Sequence, residues 1–377
     1  MYLNENNSLP DRPTLSSVWG ARKLNLDMPL FIGLLALIVM GLFILYSASD
    51  QSLATVSRQV IIFLVGLVVM VCCAKVTPER YQDLVPWIFG LLLLMLLIVL
   101  GIGVISKGAQ RWLNIGLFRF QPAEIMKLVL PITVAWYLKD KALPPSGKTL
   151  LISLAMVAVP AILVAKQPDL GTAIMITVSG LVVLLFAGLN WKVLVGSATA
   201  LVVSFPLAWH FLHAYQRARV LTFFNPERDP LGDGYHIIQS KIAIGSGGLM
   251  GKGWLLGTQS HLQFLPEHTT DFIFAVLGEE LGLIGCLLLI GIFLFIVGRG
   301  LYISIKAQDT FSRLLAASLS VTFFISFFVN VGMVVGILPV VGIPLPLVSY
   351  GGSSIITMLA GFGIIMSLRA HQKLLPT

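Results

Sequence analysis

Charge is what this sequence has least of: 11% of its 377 residues are Asp, Glu, Lys or Arg, against about 25% in an ordinary soluble domain. With 57% of residues hydrophobic, a water-soluble globule is excluded, because so few charges cannot coat so much apolar surface. Cysteine is nearly missing, and Cys72, Cys73 and Cys286 all stand in apolar runs. That rules out a disulfide framework and a cysteine-based metal site. The six histidines form no i,i+4 pair beside a carboxylate, which removes the helical zinc motif. There is no nucleophile elbow, no dinucleotide fingerprint, no heptad run and no internal repeat. The 25 Lys and Arg against 17 Asp and Glu give a net charge of +8, yet the cations form no run, so a nucleic-acid surface is not indicated.

What is present is long apolar stretches. A transmembrane helix takes about 20 of them, and ten segments qualify: 28–48, 59–75, 84–104, 121–138, 149–165, 170–188, 191–211, 271–298, 310–337 and 349–368. The expectation is an all-α polytopic membrane protein of about ten spans. It has a polar tail over 1–27, read as an uncleaved anchor because Arg22 and Lys23 precede the first span and no small-residue cleavage site follows it. One domain runs over 28–370, with a second tail at 371–377. Placing both termini inside puts 14 cations in inner segments and 10 in outer ones, with Lys127 within a span, so the positive-inside rule favours N-in and C-in.

Most of the outer cations gather in the 105–120 loop and in the segment 212–270, between spans seven and eight. Outer cations work against insertion, so they point to something anionic held there. At 59 residues, 212–270 is far longer than the usual connection of about 4–6. Its aromatics and the strip Ile237, Ile238, Ile242 and Ile244 suggest an amphipathic helix lying in the interface.

Charged side chains inside or at the ends of spans are costly, about 2.5–3.5 kcal/mol on insertion scales, and are functional candidates. Glu124 and Lys127 stand at i and i+3 and share a helix face; they form a structural pair, or Lys127 also meets a ligand anion. Asp169 precedes a span, where a carboxylate caps a helix. Asp271 opens another span behind Glu267 and His268, either as a general base or as a helix cap. Glu279, eight residues further, is rotated by about 80° and lies about 12 Å deeper on an ideal helix, with Glu280 on the opposite face. It is either a second wall of the same cavity or a buried hydrogen-bonded acid.

The run Gly245-Ser246-Gly247-Gly248-Leu249-Met250-Gly251-Lys252-Gly253 is not a P-loop, since Ser246 and Gly253 stand where that pattern needs Gly and Ser or Thr. A loop that brings backbone N–H groups and Lys252 to a phosphate remains an open reading. Asn330 is followed by Gly336-Ile337-Leu338-Pro339-Val340-Val341-Gly342-Ile343-Pro344-Leu345-Pro346 and Ser349-Tyr350-Gly351-Gly352-Ser353-Ser354. Such broken backbone at membrane depth is tolerated only where it lines a protein cavity.

Residues 330–354 resemble the signature of the SEDS family (shape, elongation, division and sporulation). Gln121-Pro122-x-Glu124-x-x-Lys127, Gln167-Pro168-Asp169-Leu170-Gly171, the Gly-rich run, Phe264-Leu265-Pro266-Glu267 and Thr270-Asp271-Phe272-Ile273-Phe274 are similar to family motifs in the family's order. Gly257-Thr258-Gln259-Ser260 ahead of Phe264–His268 is similar to the RodA branch and not the FtsW branch. Thr269 departs from the family's usual run and leaves the aspartate in place.

The resemblance implies a peptidoglycan glycosyltransferase of the bacterial cytoplasmic membrane that polymerises lipid II on the outer face, with Asp271 as the required aspartate. It implies that Arg111, Lys127, Arg217, Lys241 and Lys252 meet substrate pyrophosphates, with Glu124, Asp169, Glu279 and Ser349 supporting the cavity. A divalent cation, Mg2+ or Mn2+, is a candidate cofactor, with no metal ligands assigned. Implied partners are lipid II, the growing glycan, a class B penicillin-binding protein and other elongation-complex membrane proteins. A lipid II flippase and a non-catalytic scaffold for the penicillin-binding protein are the alternatives; neither would need a base.

Overall fold

The computed structural model describes residues 25–106, 109–115, 118–189, 232–261 and 267–372, with isolated positions between 195 and 225. Nine of the ten expected spans fall on described helices: α1 (Met28–Ala48), α2 (Leu53–Lys75), α3 (Pro78–Ile102), α4 (Pro122–Leu138), α5 (Gly147–Lys166), α6 (Leu170–Phe186), α9 (Ile273–Lys306), α10 (Thr310–Val335) and α11 (Ser353–Ala370). Seven of these are long and apolar enough to cross a membrane, while α4 and α6 have 17 residues each, the lower end of what a bilayer core requires. The expected span 191–211 lies outside the described residues, as does the tail 1–24.

Short polar side chains set several helix starts. Asp27 accepts from Leu30 N at 2.9 Å, Asp169 from Thr172 N at 3.2 Å and Asp309 from Ser312 N at 2.8 Å, each satisfying a backbone donor that the helix leaves open. The helices pack where small residues let backbones approach. Gly66 of α2 faces Leu359 of α11, and Gly363 of α11 faces the Met70 carbonyl of α2, leaving no room for a Cβ at either glycine.

Both ends of the described chain lie at one end of the bundle, the tail end. There Asn25 Nδ2 donates to Ala74 O at 3.4 Å, Ser367 Oγ to Val76 O and Gln372 Nε2 to Lys306 O at 3.2 Å. The opposite, loop end carries a small sheet that the sequence pattern did not announce. β1 (Val104–Ser106), β2 (Ala109–Ile115) and β3 (Phe118–Phe120) form an antiparallel meander in the order β1-β2-β3, with Leu113 opposite Phe120.

At the loop end two helices precede α9: α7 (Asp233–Gly247) and α8 (Thr258–His261). The isoleucine strip of α7 does not lie free in an interface. Ile237 and Ala243 are buried, Ser240 Oγ donates to Val334 O of α10 at 2.8 Å, and Ile244 packs on Gly278 of α9. The helix docks on α9 and α10 by one face, with Ile242 left on the other.

Candidate active site

Asp271 stands in a tight turn just before α9. Glu267 takes a left-handed φ of 55°, and its carbonyl accepts from Thr270 N at 3.0 Å and Phe272 N at 3.3 Å. Phe272 is buried and stacks on His236 of α7, ring centroids 5.5 Å apart. The turn is thus anchored on both sides of the aspartate while Asp271 itself stays partly exposed.

The Pro/Gly-rich stretch after α10 wraps this turn. Asn330, fully buried in α10, donates through Nδ2 to Asp271 O at 2.9 Å and to Ile343 O at 2.7 Å. Ser349 Oγ donates to Thr270 O at 2.5 Å and accepts from Leu345 N at 2.8 Å. Tyr350 N donates to Thr269 O at 2.9 Å. Gln59, buried in α2, holds the far side, donating to Ser349 O at 3.4 Å and accepting from Gly351 N at 3.3 Å. Gly342 has φ of 75°, and a Cβ built there would come 3.5 Å from Asp271 Oδ2. Glycine is favoured there by its left-handed backbone, which brings the loop up to the carboxylate.

Glu279 lies deeper and in a different setting. α9 breaks at Gly282, whose φ of 64° and ψ of −159° are not helical. The break opens two hydrogen bonds of the helical ladder, and the Gly-rich run fills both. Lys252 N and Gly253 N donate to the carbonyls of Glu279 and Glu280 at 3.0 Å each, while Leu283 N and Ile284 N donate to the carbonyls of Gly248 and Leu249 at 3.0 and 3.3 Å. Cβ atoms at Gly247 and Gly251 would fall on the carbonyls of α9. This is how a broken helix inside a membrane keeps its backbone groups satisfied.

The Glu279 side chain closes the same loop. It is fully buried and accepts from Lys252 Nζ at 2.7 Å, Thr258 N at 2.8 Å, Thr258 Oγ1 at 3.0 Å and Gln259 N at 3.1 Å. Lys252 is therefore engaged by a buried carboxylate, and the N–H groups of Lys252 and Gly253 are spent on α9. The phosphate-cradle reading of this run has lost those donors. The neighbouring Glu280 is also buried and bonded to Ser47 of α1.

Glu124 and Lys127 pair at 2.7 Å, on the wall of a cavity of about 80 Å³ formed by α4, α6, α10 and α11. Among the described residues Glu124 Oε2 and Thr322 Oγ1, both at this cavity, have no hydrogen-bond partner. The hydroxyls of Ser326, Ser354 and Thr357 line it among apolar side chains. Ser326 stands one helical turn from Asn330, and Ser354 shortly after Tyr350, so the cavity runs toward the clamp around Asp271.

Arg111 of β2 lies 3.5 Å from Asp169 Oδ2, which also accepts from Gln121 Nε2 at 3.0 Å. Asp169 thus caps α6 and ties the meander to α4. Arg217 is half-buried among otherwise undescribed neighbours. Lys241 crosses Gly336, the C-cap of α10, where a Cβ would come 2.7 Å from its Nζ; a cation there suits the negative end of the helix dipole.

The structure thus brings Asp271, Ser349 and Asn330 together, and gives Glu279 and Lys252 to each other. Gln59 is not among the residues singled out in the sequence, and Gln121 stands there only in a motif, without a role. The signal for both was an uncharged polar residue in or beside an apolar span, and spacing says nothing about what such a residue bonds. Among the described residues no three His, Cys, Asp or Glu side chains converge to hold a metal.

Known proteins match this chain throughout. The family model described as Cell cycle protein, covering FtsW, RodA and SpoVE, matches residues 26–374. The peptidoglycan glycosyltransferase MrdB of Escherichia coli K12 is 51% identical over 369 residues, 97% of this chain and 99% of that protein. The MrdB protein of Helicobacter pylori is 35% identical, covering 93% and 91%. Among solved structures, a chain from a peptidoglycan synthase complex coordinating polymerization and crosslinking superposes with a TM-score of 0.81 at 32% identity, covering 92% of this chain and 98% of that one. The rod shape determining protein RodA of Thermus thermophilus superposes with a TM-score of 0.70 at 26% identity, covering 92% and 98%.

Proposed function

The chain belongs to the SEDS family, in its RodA branch, and is a peptidoglycan glycosyltransferase; from that premise we propose that Asp271 is the base of its polymerisation reaction. The carbohydrate acceptor is lipid II or the growing glycan, at the outer face of the bacterial inner membrane. Asp271 takes the proton of the acceptor GlcNAc 4-hydroxyl. The freed oxygen bonds to the anomeric carbon of the donor as the bond to the pyrophosphate oxygen breaks. Configuration inverts and undecaprenyl pyrophosphate leaves.

The observation that carries this reading is the clamp: backbone on both sides of Asp271 is fixed by Asn330 and Ser349 while the residue stays partly exposed. A base must hold its position within hydrogen-bond reach of the hydroxyl it serves. The leaving pyrophosphate needs cations preorganised nearby. Arg111 and Lys127 fill that role at the meander and the cavity wall, and Arg217 and Lys241 on the segment before Asp271. Lys252 instead holds the loop through Glu279. A class B penicillin-binding protein is the proposed cross-linking partner, supported by the likeness to a synthase-complex chain.

The test is purified protein with labelled lipid II. Wild type makes glycan polymer, and Asp271→Asn loses on the order of 10²–10⁴-fold in rate, the usual contribution of a positioned base. A variant that polymerises at the wild-type rate would sink the assignment and favour a scaffold or flippase.

A further inference from the structure

At the tail end, far from Asp271, Asp27 gathers two arginines. Its side chain is fully buried; it caps α1 and accepts from Arg299 Nε and Nη2 at 3.0 Å each. Arg369 of α11 pairs with the same carboxylate. One negative charge is thus set against two guanidiniums that cannot deprotonate. Lys306, one turn past Tyr302 on α9, adds a third cation: its Nζ lies 5.9 Å from the Tyr302 ring, which Arg299 Cζ also approaches at 4.9 Å.

These groups border a recess of about 210 Å³ lined by Tyr302, Ile303, Lys306, Arg369 and Gln372, with no acidic side chain in its wall among the described residues. The side chain of Arg369 is 40% exposed even while one nitrogen meets Asp27, so it keeps donors for a ligand. Beside the recess, Ile305 and Tyr302 are exposed outward, an apolar residue and an aromatic of the kind found at the membrane–water boundary. A neighbouring cavity of about 470 Å³ that also touches Gln372 carries Glu79, Asp140 and Asp309 beside Lys139 and His371. The recess that borders apolar surface is thus the one lined by cations alone among its charged described residues.

We propose that this recess binds the phosphate headgroup of an anionic phospholipid from the leaflet at the tail end, with Arg369 and Lys306 on the phosphate oxygens and an acyl chain along Ile305. An arginine fork with an ammonium is the donor set that a phosphodiester selects, and basic pockets between helices at this level are where anionic headgroups seat. The inference does not depend on the assignment of Asp271.

Native mass spectrometry of the full-length protein, loaded in turn with phosphatidylglycerol, phosphatidylethanolamine and inorganic phosphate, tests it. Phosphatidylglycerol adducts are expected to survive activation that strips phosphatidylethanolamine. Lys306→Gln, which removes a cation that does not touch Asp27, is expected to weaken phosphatidylglycerol retention about threefold without moving the melting temperature. The pair Lys306→Gln/Arg369→Gln is expected to weaken it at least tenfold. Equal retention of the two lipids, or wild-type retention by Lys306→Gln, overturns the site. Inorganic phosphate that binds as well as the lipid and displaces it would show a soluble-anion site, and overturns the lipid assignment.

Discussion

Two carboxylates eight residues apart on one stretch of chain have been put to opposite uses. Glu279 is buried and spends its oxygens on Lys252, Thr258 and Gln259, so it holds a loop in place. Asp271 is partly exposed, and it is its backbone that is held, through Asn330 and the neighbouring Ser349 contact to Thr270. The difference teaches where to look for chemistry in a membrane protein: not at the most deeply buried charge, whose partners are already chosen, but at one whose main chain is fixed and whose side chain borders open space.

The largest effect that can break the comparison is on Glu279. Glu279→Ala leaves the backbone N–H groups of Thr258 and Gln259 without their acceptor and leaves Lys252 only the Thr258 hydroxyl at 2.8 Å, and breaking a buried pair costs about 3–5 kcal/mol. Thermal unfolding in detergent is expected to fall sharply, and activity to fall with the folded fraction. A neutral pair, Glu279→Gln with Lys252→Met, should recover most of that stability, since no uncompensated charge is left behind. If Glu279→Ala melts as wild type does, the latch described here is not what holds the loop.

Asn330→Ala is the next largest, and it acts on the other carboxylate. Removing its donor leaves the carbonyls of Asp271 and Ile343 unpaired, at about 1–3 kcal/mol for buried groups. We expect about a tenfold loss of polymerisation rate in the fraction that remains folded, with lipid II affinity kept. Loss of affinity with an unchanged rate would assign Asn330 to substrate binding instead.

Gly342→Ala has room for its methyl, 3.5 Å from Asp271 Oδ2, so its cost is that of the left-handed backbone, about 1–2 kcal/mol. Gly342→Asn should be milder, because Asn tolerates that conformation. Equal melting of both variants and wild type would mean the loop relaxes out of the positive φ. Ser349→Ala, which deletes one hydroxyl shared by Thr270 O and Leu345 N, is the smallest, at about 1 kcal/mol in melting.

Much of this could be read before any coordinates. Apolar runs of bilayer length read as helices, and nine of the ten spans fall on described helices, with ends that differ by up to eight residues. Asp271 announced itself as a charge at the start of a span, and residues 336–352 as broken backbone. The relation between Asp271 and Glu279 was less legible: the 80° rotation assumed a continuous helix from 271, whereas α9 begins at Ile273 and Asp271 sits in a turn. The role of the Gly-rich run was invisible, because no spacing rule foretells that residues 248–253 supply the hydrogen bonds missing from a helix break some 30 residues later. Lys252 was read by its charge and placed on substrate. Its partner proved to be Glu279, which the sequence left as either a cavity wall or a buried hydrogen-bonded acid.

The central claim is that Asp271 acts in the chemical step and not in holding the fold or the substrate. Single-turnover glycan formation and lipid II affinity, measured side by side on Asp271→Asn and wild type, test it most directly. The account predicts a rate lowered at least about a hundredfold with affinity and melting temperature unchanged. A wild-type rate, or a loss explained wholly by weaker binding or unfolding, would contradict it.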